Sequence, residues 1–198
     1  MQIIIILGIL LALVSLALLK LLMLRRRFWI GVCFILILLL GLVLSFIGYL
    51  FSPYRIFDEN KPVALIESTP VKAEIYDAVL AIKHLTNPKS RRPEKFLLTG
   101  NRWIIEGNIL KVKLNKGEIN LYRIARIRSG YINPGNLRPF PELAYNLSKR
   151  RDILGDFLNK QKLDFIEAFT GTVSYRSGDE KAEFYLYAAD SGFRLEKE

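Results

Sequence analysis

The sequence predicts a two-helix transmembrane hairpin followed by a mainly antiparallel β (α+β) soluble domain with one late amphipathic helix. Three observations carry that expectation. The 198 residues hold 29 bases and 19 acids, yet residues 1–54 contain only Lys20, Arg25, Arg26 and Arg27, and no acid. Within that stretch two apolar runs are separated by the three arginines alone. Beyond Pro53 the chain changes to short apolar alternations broken by Gly, Asn and Pro. The expected division is a membrane hairpin over 1–54, a juxtamembrane linker over 55–61 and a β-rich domain over 62–198.

Met1 to Leu19 is uncharged, and the run resumes past Lys20, whose long stem can carry its ammonium to the headgroups. Phe28 to Tyr54 is uncharged throughout and would make a helix of about 40 Å, more than the hydrocarbon requires. Arg25, Arg26 and Arg27 are too charged to rest in lipid and too few for anything but an antiparallel turn. As the densest basic flank they set the expected topology. The turn lies in the cytoplasm and both termini lie outside it, in a bacterial cytoplasmic membrane. The first run lacks a basic leader and a small-x-small site, so it is read as uncleaved. Gly41, Ser45 and Gly48 recur at four and three, which places them on one helix face suited to close packing, within the chain or in a homo-oligomer. Neither run contains an acid or a histidine, so the hairpin alone has no proton relay. Trp29, Tyr49, Phe51 and Tyr54 are expected at the headgroups.

In the soluble part, Val63, Leu65 and Glu67 begin an alternating pattern, and Val71 to Leu85 reads as strand in preference to helix. Asn87 to Pro93 is a basic loop. Lys95–Leu98, Trp103–Glu106 and Ile109–Leu114, separated by Thr99-Gly100-Asn101 and Gly107-Asn108, predict a meander that continues past Asn115-Lys116-Gly117 into Asn120–Tyr131. In that last strand Leu121, Arg123, Ala125, Ile127 and Ser129 share one parity, and Tyr122, Ile124, Arg126 and Arg128 the other. A helix from Glu142 or Ser148 to Lys160 is predicted to place Ile153, Leu154, Phe157 and Leu158 on one face, against the sheet. Ser177 to Glu180 reads as a hairpin turn, and Asp190-Ser191-Gly192 as the last one. Phe184 and Leu186, alternating with Glu183, Tyr185 and Tyr187, predict a strand with one covered face.

The chemistry is sparse. The soluble part carries a modest basic excess, concentrated in Lys89, Arg91 and Arg92 and in Arg123, Arg126 and Arg128; these are the candidates for contact with an anionic surface. Such arginines without a platform of exposed aromatics do not suggest nucleic acid. His84 is the sole histidine and Cys33, within the second apolar run, the sole cysteine, so neither a metal site nor a His-dependent triad is expected, and no cofactor. A carboxylate pair such as Glu67 with Glu74 or Asp77 lacks any spacing that fixes a working separation. The chain is therefore read as a non-enzyme.

The runs Phe96-Leu97-Leu98-Thr99-Gly100-Asn101-Arg102-Trp103, Ile109-Leu110-Lys111 and Leu121-Tyr122-Arg123-Ile124-Ala125-Arg126, with Gly130-Tyr131, resemble a family of small uncharacterised bacterial membrane proteins. Its members have paired N-terminal helices and an arginine-rich turn, and many are loosely labelled cation or multidrug efflux pumps. The resemblance extends weakly to Phe165–Thr172. It departs at Gly130-Tyr131, where the family places an arginine between the two residues. It implies kinship over the whole chain and little about activity. Together the features suggest a membrane-anchored extracytoplasmic binding, scaffolding or accessory protein, partnered by the bilayer and by copies of itself or a larger membrane protein. The alternative is a small subunit or oligomeric component of an efflux system.

Overall fold

In a computed structural model, described over residues 2–25, 28–71, 75–86, 92–115, 117–132, 141–148, 152–161, 164–189 and 192–198, the chain forms two units, Met1–Pro53 and Tyr54–Glu198. The first is a pair of helices, α1 (Gln2–Arg25) and α2 (Phe28–Phe51). Their approach is set by small residues. A Cβ on Gly8 would stand 2.2 Å from Ser45 Oγ and 2.9 Å from the Gly41 carbonyl, and one on Gly41 would stand 3.1 Å from the Gly8 carbonyl. Gly41 and Ser45 therefore meet α1 within the chain, and Gly48 is buried.

The expectation of two membrane spans does not hold. Among the described residues Gly31–Phe51 is the one helix long and apolar enough to cross a bilayer, and little of it is covered by protein; Ile5–Lys20 is a shorter apolar helix. In α1 the apolar run is interrupted by the charge of Lys20 before it resumes toward Arg25, whereas α2 carries no charge along its length. The chain is thus not a multi-pass hairpin. It has one N-terminal helix suited to membrane association, with α1 packed along it.

The second unit is a sandwich of two antiparallel sheets. One has the order β1 (Arg55–Ile56), β6 (Gly117–Gly130), β5 (Arg102–Leu114), β8 (Ile166–Arg176), with β7 (Ala144–Asn146) also on β6. The other has the order β10 (Gly192–Lys197), β9 (Ala182–Ala189), β2 (Ala64–Pro70), β3 (Ala78–His84), β4 (Glu94–Leu98). Alternation explains the faces: Phe184, Leu186 and Ala188 are buried while Glu183, Tyr185 and Tyr187 between them are not. Trp103, Ile105, Ile109, Tyr122 and Ile127 from the first sheet meet Ile66, Leu80, Ile82, Leu98 and Phe184 from the second in one core. Residues 55–61, expected as a linker, are held in this unit. Arg55 and Ile56 pair with Tyr122 and Leu121, the Phe57 amide donates to the Asn120 carbonyl at 3.1 Å, and the Phe57 ring joins the core.

Three connections differ from the expected meander. Gly107-Asn108 is no turn, because β5 runs unbroken from Arg102 to Leu114; Gly107 is there because a Cβ would stand 2.1 Å from the Arg123 carbonyl and 2.8 Å from the Phe193 ring. Thr99-Gly100-Asn101 joins β4 of one sheet to β5 of the other, and Gly100 takes φ +83° where a Cβ would stand 2.3 Å from the Gly130 carbonyl. Ser177 to Glu180 likewise crosses between sheets, from β8 to β9. The expected strand in Val71–Leu85 is β3, with residues 72–74 outside the described set. The late helix α3 (Ile153–Lys160) is shorter than the longest span considered, since β7 occupies the chain before it.

Candidate functional site

The site grows from an irregularity in β6. Register pairs Glu106 with Arg126 and Gly107 with Ile124, so Ala125 has no partner and forms a β-bulge. One extra residue inverts the alternation. Tyr122, Ile124 and Ile127 all belong to the core, whereas Arg123, Arg126 and Arg128, expected on opposite parities, all engage carboxylates away from it. Glu106 receives two of them, Arg126 at 2.6 Å on one oxygen and Arg128 at 2.7 Å on the other.

Arg123 pairs instead with Asp152, at 3.1 Å, and both side chains are nearly buried. Asp152 is the N-cap of α3, accepting from the Gly155 amide at 2.9 Å. Tyr54 donates to the other carboxylate oxygen at 2.7 Å, joined by the Asn108 amide, and Thr170 donates to Asn108 Oδ1 at 3.4 Å. Both carboxylate oxygens are thus doubly engaged, by Tyr54 and Asn108 on one and by Arg123 and Gly155 on the other. Gly155 is required by this crowding, for a Cβ there would stand 2.6 Å from Asp152 and 2.7 Å from Asn108. Burial above all, then the hydrogen bond and the charge of Asp152, push the Tyr54 hydroxyl far above the ordinary phenol range; Arg123 and Asn108 reverse only part of this. Tyr54 is a neutral donor at every physiological pH. It was expected as a headgroup anchor and is instead buried in the sandwich.

A cleft of about 540 Å³ opens over this cluster, lined by Glu106, Gly107, Asn108, Arg123, Ala125, Arg126, Asn146, Ser148, Asp152, Asp156 and Thr170. Its walls mix both signs of charge with amides and hydroxyls. Their positions are fixed by pairing, which suits the recognition of a hydrogen-bonding ligand.

Other candidates lie elsewhere. Arg92 is exposed before β4, while Arg26, Arg27, Lys89 and Arg91 lie outside the described residues. Glu67 is bound by Lys181 at 2.7 Å, Asp77 accepts from the Gly100 amide, and Glu74 lies outside the described residues. Among the described residues no group of three His, Cys, Asp or Glu could hold a metal ion. Sequence reasoning missed Tyr54, Asn108, Asp152 and Thr170. An Asp directly before an apolar helical run is a cap signal, so Asp152 alone had a local signature.

No family model, curated protein or solved structure matches this chain. The resemblance to membrane proteins labelled as efflux pumps is accordingly withdrawn. Its structural premise, paired spanning helices, fails as well, since one helix has the length and apolarity to cross.

Proposed function

We propose that this protein is a membrane-anchored binding protein whose sandwich lies outside the cytoplasm and holds a polar ligand or partner segment in the cleft over the β6 bulge. The observation that carries the reading is the buried Asp152 carboxylate, held by Tyr54, Asn108, Arg123 and the Gly155 amide at the floor of that cleft. A preorganised polar surface has little ordering left to lose on binding. Filling the cleft with Thr170→Trp should leave the membrane anchor intact and remove the bound species from protein purified from native membranes in mild detergent. Identical co-purification profiles for the wild type and the variant would refute the cleft as the binding site.

The placement of the sandwich rests on Arg25, Arg26 and Arg27, which precede α2 in the sequence and form a flank retained in the cytoplasm of a cytoplasmic membrane. With one span, the chain beyond Phe51 then emerges on the other side. A reporter that works only in the cytoplasm, fused after Glu198, should be inactive; strong activity would reverse the orientation.

A further inference from the structure

The first sheet reverses its polarity at one end. Ile109, Tyr122 and Phe57 lie in the core and Phe169 packs against it, so their chain neighbours Leu110, Leu121, Ile56 and Ala168 face away from it. Register sets these four side by side in one row across β1, β6, β5 and β8. Two residues further along each strand, Ile119, Val112 and Ile166 form the next row, with Leu114 beyond them on β5. Every one of these outward positions is apolar. The charges of the same strands, Lys111, Lys113, Glu118 and Glu167, have the opposite parity, and Lys113 pairs with Glu167 there. Water therefore meets the side of the sheet that suits it least.

Helix α3 covers part of this outer face. Its cap is bonded to Arg123 and Asn108, which share the face with Leu121 and Leu110. The helix touches β8, its Leu154 and Leu158 are buried, and so are Leu110 and Leu121. Ile153 and Phe157, expected on the same covered face, are instead 53% and 54% exposed, because the Asp152 cap, tied to Arg123, fixes a rotation of the helix that leaves them in solvent. Ile56, Leu114 and Ile119 on the sheet are exposed by 66%, 55% and 37%.

Area and charge together say what covers this side. Five exposed apolar side chains, at on the order of 100 Å² each, offer roughly 500 Å² per chain and about 1,000 Å² in a pair of chains, which is where specific interfaces begin. The outward sheet positions hold no base to draw the face to anionic headgroups and no charge to select a basic or acidic partner. A second copy brings the same apolar area, and a twofold contact of one face with itself needs no complementary charge.

We infer that this face is a homodimer interface, in which Ile56, Leu114, Ile119, Ile153 and Phe157 are covered by the same face of a second copy of the chain. The cleft begins one row away, at Asn108 and Thr170, so the inference is independent of what the cleft binds.

The test uses the full chain with Cys33→Ser in isolated native membranes. Ile56→Cys, Leu114→Cys and Ile119→Cys are treated one at a time with a short bismaleimide, and Lys95→Cys on the exposed part of β4, in the other sheet, is the reference. At least one of the three should give about fivefold or more the cross-linked dimer of position 95, since only neighbouring cysteines fall within reach. Adding Ile119→Glu to Leu114→Cys should lower its dimer yield at least about tenfold, because the variant places a charge inside the contact. Near-ultraviolet circular dichroism of the purified chain checks that the core is kept, and Phe157→Glu takes the place of Ile119→Glu should that variant fold poorly. Cross-linking no higher at any of the three positions than at 95 would overturn the inference, and so would a dimer yield indifferent to the glutamate. Protection of the three cysteines from a soluble maleimide without cross-linked dimer would assign the face to lipid or to another protein and overturn it equally.

Discussion

Replacing Asp152 with alanine is expected to cost about 3–5 kcal/mol of sandwich stability, because it strands the buried Arg123 guanidinium and removes the α3 cap in one step. For a domain of this size such a loss lowers the melting temperature by roughly 8 to 15 °C. The pattern across variants is as informative as the single value. Tyr54→Phe removes only a hydroxyl and should cost about 1–2 kcal/mol. Adding Arg123→Met to Asp152→Ala takes away the stranded charge and should recover part of the loss, since an unpaired buried charge is worse than an apolar side chain. Thermal melts of the purified full chain, followed by near-ultraviolet circular dichroism, read all three. An Asp152→Ala melt indistinguishable from that of the wild type would show that the cluster is not the keystone of this face.

Trp103→Ala should cost about 3–5 kcal/mol through the cavity it opens between the sheets. The indole is fully buried, with Tyr175 and Phe184 ring centroids each 5.7 Å away, so its neighbours cannot easily collapse into the space. Its ring N–H has no hydrogen-bond partner among the described residues. That predicts a milder Trp103→Phe, which loses volume but also an unsatisfied donor. Urea unfolding of the two variants separates the effects. If Phe proved as costly as Ala, the ring nitrogen would have to be making a contact that the packing geometry does not reveal.

How much of this was legible in the sequence depends on the range of the interaction. The strand-rich character came from alternation, as in Phe184, Leu186 and Ala188, and the late helix from the apolar spacing through Leu154 and Leu158. Both signals are local. The pairing of strands across two sheets was not legible, because Thr99-Gly100-Asn101 and Ser177–Glu180 carry the residues of hairpin turns while serving as crossovers. Gly107-Asn108 misled for a related reason: glycine there answers a close approach by Phe193, more than eighty residues distant, and not a bend. The membrane count failed at Lys20, whose charge interrupts the first run and which the sequence reading carried to the headgroups on its long stem. At the candidate site, Arg123 was noted for charge density alone. Its carboxylate and the tyrosine that shares it come from positions far apart in the chain, and a buried network of that kind leaves no periodic trace.

The bulge at Ala125 has a consequence for how β6 can change in length. The strand obeys one alternation up to Ile124 and its complement from Arg126 onward, with Ala125 as the frame shift between them. Deleting Ala125 would remove the extra residue itself and leave Ile124 on Gly107 and Arg126 on Glu106 as consecutive pairs of a regular ladder, with every face kept. Inserting a second residue beside it would instead turn Arg126 and Arg128 toward the apolar interior and Ile127 toward water, or make the hairpin slip by one residue and carry Arg123 off Asp152. The strand therefore tolerates one residue fewer at this point but not one more, and chains that share this cleft should keep Arg123 and Arg126 two or three positions apart.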